Sequence, residues 1–435
     1  MKISKRYWIL LPLLMLVSIA GAKPQNTIIL YGGIGYTEEA TQQTLFELLT
    51  NGSYQLEDAT EQMVTRLNQV AGGLPQLSPY PIALLVDDAE AAIAEELGKK
   101  RAPFDSVTEL QKYFGRVLGI FLVGSFEQQM GFDYPYQLTN GKVRHSYHDY
   151  FFTSITALLL DLENDEIVLS ASALSQVHNK SAAHQINNPK ERQQQFLKAY
   201  TQASDKALER LVTLIKTRNV NKIRDEDRHI VTGVWVNGSN AGKLFQWQQP
   251  GASPNMCNIP SGCKPGAKVC AQMAGLLAHG TTDALSAKGL ITLPPLGWST
   301  WRSDNAWEVA ARFALPQNRK SLTDRLIDFS INPKQAANKY IAAIDDIDSA
   351  TSDNGPENLL ETDEYVTNLS LIKAFTPPDS CVPQHELEFL DDETFYGLYQ
   401  TSRIEGRAKA NPDQQRLFHQ IALINALSNL PVKGN

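Results

Sequence analysis

Four cysteines, Cys257, Cys263, Cys270 and Cys381, are the residues of this 435-residue sequence whose type most directly implies chemistry. In an oxidising compartment an even number suits two disulfides, with three pairings open. The competing use is a metal site. Five and six residues separate the first three cysteines, which lacks the C-x-x-C knuckles of structural zinc, and no histidine lies at knuckle distance. Disulfides are therefore expected, and no metal or cofactor. The loop around Cys257–Pro265 is rich in Pro and Gly with little hydrophobic periodicity, so a tie to Cys381 would give it stability that packing cannot.

Other motifs fall short of the chemistry they suggest. Gly238-Ser-Asn-Ala-Gly242-Lys243-Leu244 has three residues between its glycines and Leu after Lys, where a phosphate loop needs four and then Ser or Thr. A hairpin turn is the expectation there. Gly32-Gly33-Ile34-Gly35 follows an apolar run, but Glu38 stands where a dinucleotide fingerprint needs glycine. No Gly-x-Ser-x-Gly elbow occurs. His145 and His148 point to opposite faces if their stretch is extended, which is poor geometry for one ion. His385-Glu386 lacks the second histidine of a zinc-protease helix. Asp345, Asp346, Asp348 and Asp353 lack the glycine of a calcium loop, and a solvated loop is expected. Tyr134, Tyr136, Tyr147, Tyr150, Phe151 and Phe152 concentrate aromatics in one region. Cross-strand pairing accounts for most of them, with an exposed patch for a partner or glycan as the functional alternative.

The address is written at the start. Lys2, Lys5 and Arg6 precede an apolar run from Trp8 to Ala20, and Ala20-Gly21-Ala22 precedes Lys23. Charged region, short apolar core and small-residue cleavage step make residues 1–22 a signal peptide, cut between Ala22 and Lys23. A spanning helix needs ~20 apolar residues, more than this run holds, and no later stretch approaches that length. The mature chain is expected in the periplasm or outside the cell, without a membrane span. Asn51, Asn179, Asn237 and Asn368 fit the Asn-x-Ser acceptor pattern, which matters only in a eukaryotic secretory pathway. The short leader is of bacterial type.

Removing the leader takes the formal charge from −7 to −10. That balance argues against a protein holding nucleic acid by charge. The acidity is local: residues 345–393 carry 14 acidic side chains and one basic, Lys373. A solvated face or a docking surface for a basic partner would both explain it.

The expected elements make an α+β (α/β) chain of two mixed-sheet sandwich domains with long packing helices. Residues 23–218 form the N-terminal domain, 219–229 a charged linker, and 230–435 a C-terminal domain holding the cysteine loop and the acidic segment. In the first, Asn26–Tyr31 and Pro81–Val86 read as strands, with helices over Glu38–Thr50, Leu56–Val70 and Ala89–Leu97. Val117–Phe126 is strand-like, and His145–Leu162 with Glu166–Val177 is a hairpin turning at Glu163-Asn164-Asp165. Lys190–Thr217 is a long helix with one apolar face. In the second, Ile230–Val236 is a strand with Leu244–Trp247 as a possible partner. The expected helices are Val269–Ala287, Asn305–Ala314, Leu322–Phe329, Lys334–Ile347 and Pro412–Leu430. Leu290–Leu293, Tyr365–Phe375 and His385–Phe389 complete the strands. Both halves reach an Asn-Pro step before a Gln-rich closing helix, at Asn188-Pro189 and Asn411-Pro412. Internal duplication and chance recurrence both account for this, and the second half shows no clear match to Val117–Phe126.

Residues 116–217 resemble the α/β module at the amino terminus of the TolB translocation protein and in curli-secretion (CsgG-like) envelope proteins. The likeness is carried by Val117-Leu-Gly-Ile-Phe-Leu-Val-Gly124, Thr156-Ala-Leu-Leu-Leu-Asp161, Glu166-Ile-Val-Leu-Ser170 and the helix after them. It covers about a quarter of the chain, and Asn164-Asp165 replaces the usual turn glycine. The resemblance implies binding and assembly in the envelope rather than catalysis, and it carries over no functional residue. The expected protein is thus an exported, non-catalytic binding or assembly protein with an envelope or secreted protein as partner. The alternative is a secreted hydrolase whose acid-base groups the sequence does not reveal. Partner identity and oligomeric state are not written in it.

Overall fold

The computed structural model describes residues 28–36, 77–81, 117–137, 140–161, 166–220, 222–236, 238–247, 268–295, 336–353, 360–374, 387–389, 395–404 and 410–430. The leader with Ala22 and Lys23, residues 82–86, Cys257, Cys263, Cys381, His385 and the expected helices at 38–50, 56–70, 89–97, 305–314 and 322–329 lie outside them.

Two sheets carry the fold, and each is built the same way. The first has β1 (Ile28–Tyr36), β2 (Leu77–Pro81), β3 (Val117–Gln137), β4 (Val143–Asp161) and β5 (Glu166–Ser181) in the order β2-β1-β3-β4-β5. β2, β1 and β3 are parallel, and β3, β4 and β5 antiparallel. The second has β6 (Arg228–Val236), β7 (Ile291–Thr292), β8 (Asn338–Asp353), β9 (Leu360–Ala374), β10 (Leu387–Phe389) and β11 (Phe395–Ile404). Its order is β7-β6-β8-β9, with β10 and β11 both on β9, and β7, β6 and β8 are again parallel.

The bulges repeat as well. β1 slips against β3 between Tyr31 and Gly33, and β6 slips against β8 between Val231 and Gly233. β3 slips against β4 between Gly124 and Phe126, and β8 against β9 between Ile344 and Asp346. Shared order, direction and bulge positions pair the strands residue by residue: Ile120 with Tyr340, Phe126 with Asp346, Ser154 with Asn368 and Leu174 with Tyr396. A β-bulge moves every later side chain to the opposite face, so its placement is as diagnostic as strand order.

The closing helices start alike. α1 (Pro189–Thr217) is capped by Asn188, whose side chain accepts from the Lys190 N–H at 3.0 Å. A six-residue helix α2 (Ser239–Leu244) follows β6, and α3 (Lys268–Ala287) comes before β7. α4 (Pro412–Leu427) opens on a capping box in which Asn411 and Gln414 each accept the other's backbone N–H at 2.9 Å. Proline holds the first helical position of α1 and α4.

α1 covers one face of the first sheet, with Tyr200, Ala203, Ala207, Leu208 and Leu211 against Leu118, Ile120, Ile155 and Leu159. The other face lies on α3 and α4, which also pack on the second sheet. One continuous core joins Phe126, Phe152 and Leu174 to Met273, Leu277, Val231, Tyr340, Leu369, Phe418 and Leu423. Both flanks of α3 are buried, and glycines allow the approach. A Cβ at Gly275 would enter the Phe126 ring, and one at Gly280 would meet Leu427. The open edges are tied down by side chains. On β5, the Ser172 N–H donates to Ser286 Oγ at 3.0 Å and its carbonyl accepts from Arg210, which pairs Asp283 at 2.6 Å. On β11, the Leu398 carbonyl accepts from Asn425 at 2.9 Å. Between the halves, Arg228 is buried and donates to the Ile167 carbonyl at 2.7 Å.

Three expectations change. The helix over Lys334–Ile347 is instead β8, the missing counterpart of Val117–Phe126. Tyr340, Ala342 and Ile344 face α3 while Ile341 and Ala343 face outward, and all are buried, so the run lacks the alternation that marks a strand. The aspartates Asp345, Asp346, Asp348 and Asp353 consequently lie in this strand, not in a loop. Gly238–Leu244 turns the chain from β6 into α2, with no hairpin and no strand at Leu244–Trp247, because the parallel neighbour β8 already occupies that side of β6.

Two predictions follow from the packing. A Cβ at Gly397 in β11 would fall on the Ala422 carbonyl oxygen and the Ala426 nitrogen of α4. Gly397→Ala should therefore cost on the order of 3 kcal/mol, read from the urea midpoint. The second concerns three buried histidines. His279, beside Ser125 and Phe126, is held down to about 3 by burial. His229 is held to about 4 by burial first and by Lys373 and Arg218, against Asp227, with Tyr340 as its hydrogen-bond partner. His419, beside Thr367, is held to about 4 by burial, against a Val366 backbone bond and Asp348. Each takes up a proton near pH 6.5 only when unfolded, so stability is fully present above pH 6.5 and lost as pH falls toward 4. The thermal midpoint should drop between pH 6.5 and 5, before most carboxylates titrate; a flat midpoint would contradict the burial.

Candidate functional site

The bulge in β8 creates the first candidate. Beyond Asp345 the outward-facing residues of the second sheet form three rows across β8, β9 and β11. They run Asp346–Asn368–Tyr396, then Asp348–Val366–Leu398, then Ala350–Glu364–Gln400. The alternate residues Ile347, Tyr365, Leu369, Gly397 and Tyr399 face α4. Tyr396 is 63% exposed and Leu398 38%. Gln400 donates to Glu364 at 2.7 Å, while Asp346 and Asp348 cap the backbone N–H of Ile347 and Ser349. At the head of the face, burial raises the Asp345 carboxyl above the usual range, partly offset by the hydroxyl of Ser370. The result is an apolar pair and Val366 set among carboxylates on one sheet face. A tyrosine flanked by aliphatic surface and charge has the composition of a recognition surface.

The second candidate lies at the far end of the β4–β5 hairpin. Ser146 Oγ is 3.0 Å from His148 Nε2, and His148 Nδ1 is 3.0 Å from His178 Nε2. The rings are held in place by stacking: Phe132 on His148 at 4.8 Å and Tyr150 on His178 at 4.3 Å between centroids. The Tyr150 hydroxyl bonds Tyr399 of β11, and Phe132 meets Phe418 of α4 edge-on, so the cluster closes the seam between the halves. Burial raises both tyrosine hydroxyls above their ordinary range. Burial, then His178 and Lys180, push His148 down to about 4, and burial with Lys180 lowers His178 against the pull of Asp149. Serine, base and orienting group are in nucleophile order. Yet an imidazole held near 4 is a weak acceptor for a serine proton at neutral pH, and a neutral ring beside Lys180 stabilises an imidazolium poorly.

The remaining sequence candidates fall elsewhere. His145 points away from His148 and pairs the exposed Asp133 at 2.7 Å. Among the described residues no group of three or more His, Cys, Asp or Glu side chains is placed to hold a metal ion. Cys270, in the first turn of α3, is buried. Of the aromatic run, Tyr150, Phe151 and Phe152 are core: Phe151 packs edge-on against Phe196 of α1 and Phe152 faces α3, because β4 carries helices on both faces. His178 was not singled out from the sequence. A hairpin turning at 163–165 places it opposite Tyr150 and diagonal to His148, so strand register was the available signal. Tyr396 and Leu398 gave none, since Phe395-Tyr396-Gly397-Leu398-Tyr399 is apolar or aromatic at nearly every position and shows no alternation.

No helix among the described residues is long and apolar enough to cross a membrane. No family model matches the chain, and no curated protein matches it. Among solved structures it is similar to lipoprotein GNA1162 from Neisseria meningitidis, at 13% identity over 36% of this chain and 85% of that one, with a TM-score of 0.16.

Proposed function

We propose that this chain is an exported bacterial envelope protein that works by binding and assembly rather than by catalysis. The carrying observation is the outward face of the second sheet, where Tyr396 and Leu398 stand exposed among Asp346, Asp348 and Glu364. Large apolar side chains grouped on a charged sheet face are what a protein partner buries. The leader at residues 1–22 and the resemblance of residues 116–217 to envelope modules support the same reading. In the oxidising space outside the cytoplasm, Cys257, Cys263, Cys270 and Cys381 form two disulfides.

A secreted hydrolase is the second reading, favoured by the Ser146–His148–His178 chain. The two are separated by assaying the purified mature protein against ester, peptide and glycan panels and by treating it with a fluorophosphonate probe. No turnover and no label on Ser146 is the expected result, and hydrolysis lost in Ser146→Ala would overturn the binding reading. For the disulfides, protein denatured without reductant should show no reactive thiols, whereas four would exclude the staples.

A further inference from the structure

The repeat gives the exposed sheet face an internal precedent. Its rows Asp346–Asn368–Tyr396, Asp348–Val366–Leu398 and Ala350–Glu364–Gln400 occupy the same fold positions as Phe126–Ser154–Leu174, Gln128–Phe152–Gln176 and Met130–Tyr150–His178 in the first sheet. In the first sheet that face is the seat of α3 and α4: Phe126 is 5% exposed and Leu174 8%. In the second sheet the equivalent residues, Asp346 and Tyr396, are exposed. Each half is thus a sheet with a helix layer on one side, and the halves stack so that the helices of the second cover the bare face of the first. Among the described residues the stack ends at one side on the part of the second sheet beyond the β8 bulge, where Asp346, Asp348, Tyr396 and Leu398 are exposed, and at the other on α1.

Those two ends are complementary in charge. The solvent side of α1 carries Lys190, Gln194, Lys198, Gln202 and Lys206 at four-residue spacing, then Glu209, Thr213 and Lys216, all exposed. Glu191 and Asp205 flank the stripe half-buried, with Arg192 beside them. Four exposed lysines against one exposed glutamate face Asp346, Asp348 and Glu364 at the other end. Lysine stems are apolar enough to cover Tyr396 and Leu398 while their ammonium groups reach the carboxylates.

We infer that copies of this chain associate head to tail, the lysine stripe of α1 in one copy seating on the acidic outer face of the second sheet in the next. The contact continues between molecules the sheet-on-helix stacking found within one. It rests on the binding-and-assembly reading and names a second copy as the partner. Because the two surfaces differ, the contact is heterologous and its product is a ring or an open chain of copies.

Sedimentation velocity of the mature full-length chain tests this. Wild type should form dimers and larger species whose population falls as salt rises. Lys198→Glu with Lys206→Glu, and separately Tyr396→Ser with Leu398→Ser, should each weaken association at least about tenfold. An equimolar mixture of the two variants should recover dimers but nothing larger, since each retains one intact surface. Combining the α1 reversal with Asp346→Lys and Asp348→Lys should restore association. Wild type that stays monomeric at about 100 µM, well above the µM range of specific complexes, would overturn the proposal. So would association lost on changing the sheet face but untouched by changing α1, the pattern of a two-fold dimer. A monomeric chain without hydrolytic activity would leave the binding reading standing with a different partner, so the two failures are distinct.

Discussion

α3 is the element on which both sheets depend, because it is a helix with no solvent side. From Met273 through Leu285 nearly every residue is buried, polar Thr281, Thr282 and His279 included. A helix apolar on one stripe can serve one sheet; one buried all round can lie between two. Its polar side chains then need partners inside the protein, and several of them meet one, whereas Thr281 Oγ1 is buried without a hydrogen-bond partner among the described residues. Thr282 donates to the Ala278 carbonyl, Ser286 accepts from the edge of β5, and His279 sits beside Ser125 at the bulge of β3. Asp283 reaches past the edge of β5 to Arg210 of α1, so one ion pair links the helix layers on the two sides of the first sheet. With both partners only about a quarter exposed, that pair also closes the edge at Ser172 against stray strand pairing.

The repeated bulges explain how one architecture supports two differently exposed sheets. Before its bulge, β8 buries both faces, with Tyr340, Ala342 and Ile344 on α3 and Ile341, Ala343 and Ile372 forming a small outer cluster. After it, the outward positions become Asp346, Asp348 and Ala350 while Ile347 turns inward. In β3 the same slip carries Phe126 onto α3. Equivalent strand order and bulge placement therefore deliver aromatic core in one half and acidic surface in the other, according to the side-chain types.

That also marks how much was legible beforehand. Local patterns identified the β4–β5 hairpin, α1, α3 and α4, because each has either unbroken helical period or a turn cluster between β-rich runs. The Asn-Pro starts of α1 and α4 were equally consistent with duplication and with chance recurrence, and the two helices cover equivalent faces of their sheets. β8 was not legible. Strands buried on both faces lose alternation, the bulge at Asp345 breaks what remains, and Tyr340, Ile341 and Ile344 happen to fit a helical stripe. Losing β8 hid the match to β3 and turned the aspartates into a loop. The histidine chain was illegible for another reason: His148 and His178 are thirty residues apart and meet only through register.

Charge on the outer face of the second sheet decides what that face can accept. A sheet face bearing Tyr396, Leu398 and Val366 alone would pair with its own copy face to face, since apolar contact is not directional. Asp346, Asp348 and Glu364 prevent this, because bringing two such faces together would bury like charges against one another at a cost no apolar pair of this size offsets. Only a surface of opposite sign can approach, and it must also bring aliphatic cover for the tyrosine and leucine. Long cationic side chains on a rigid helix meet both conditions at once, and among the described residues α1 is a helix that presents them outward.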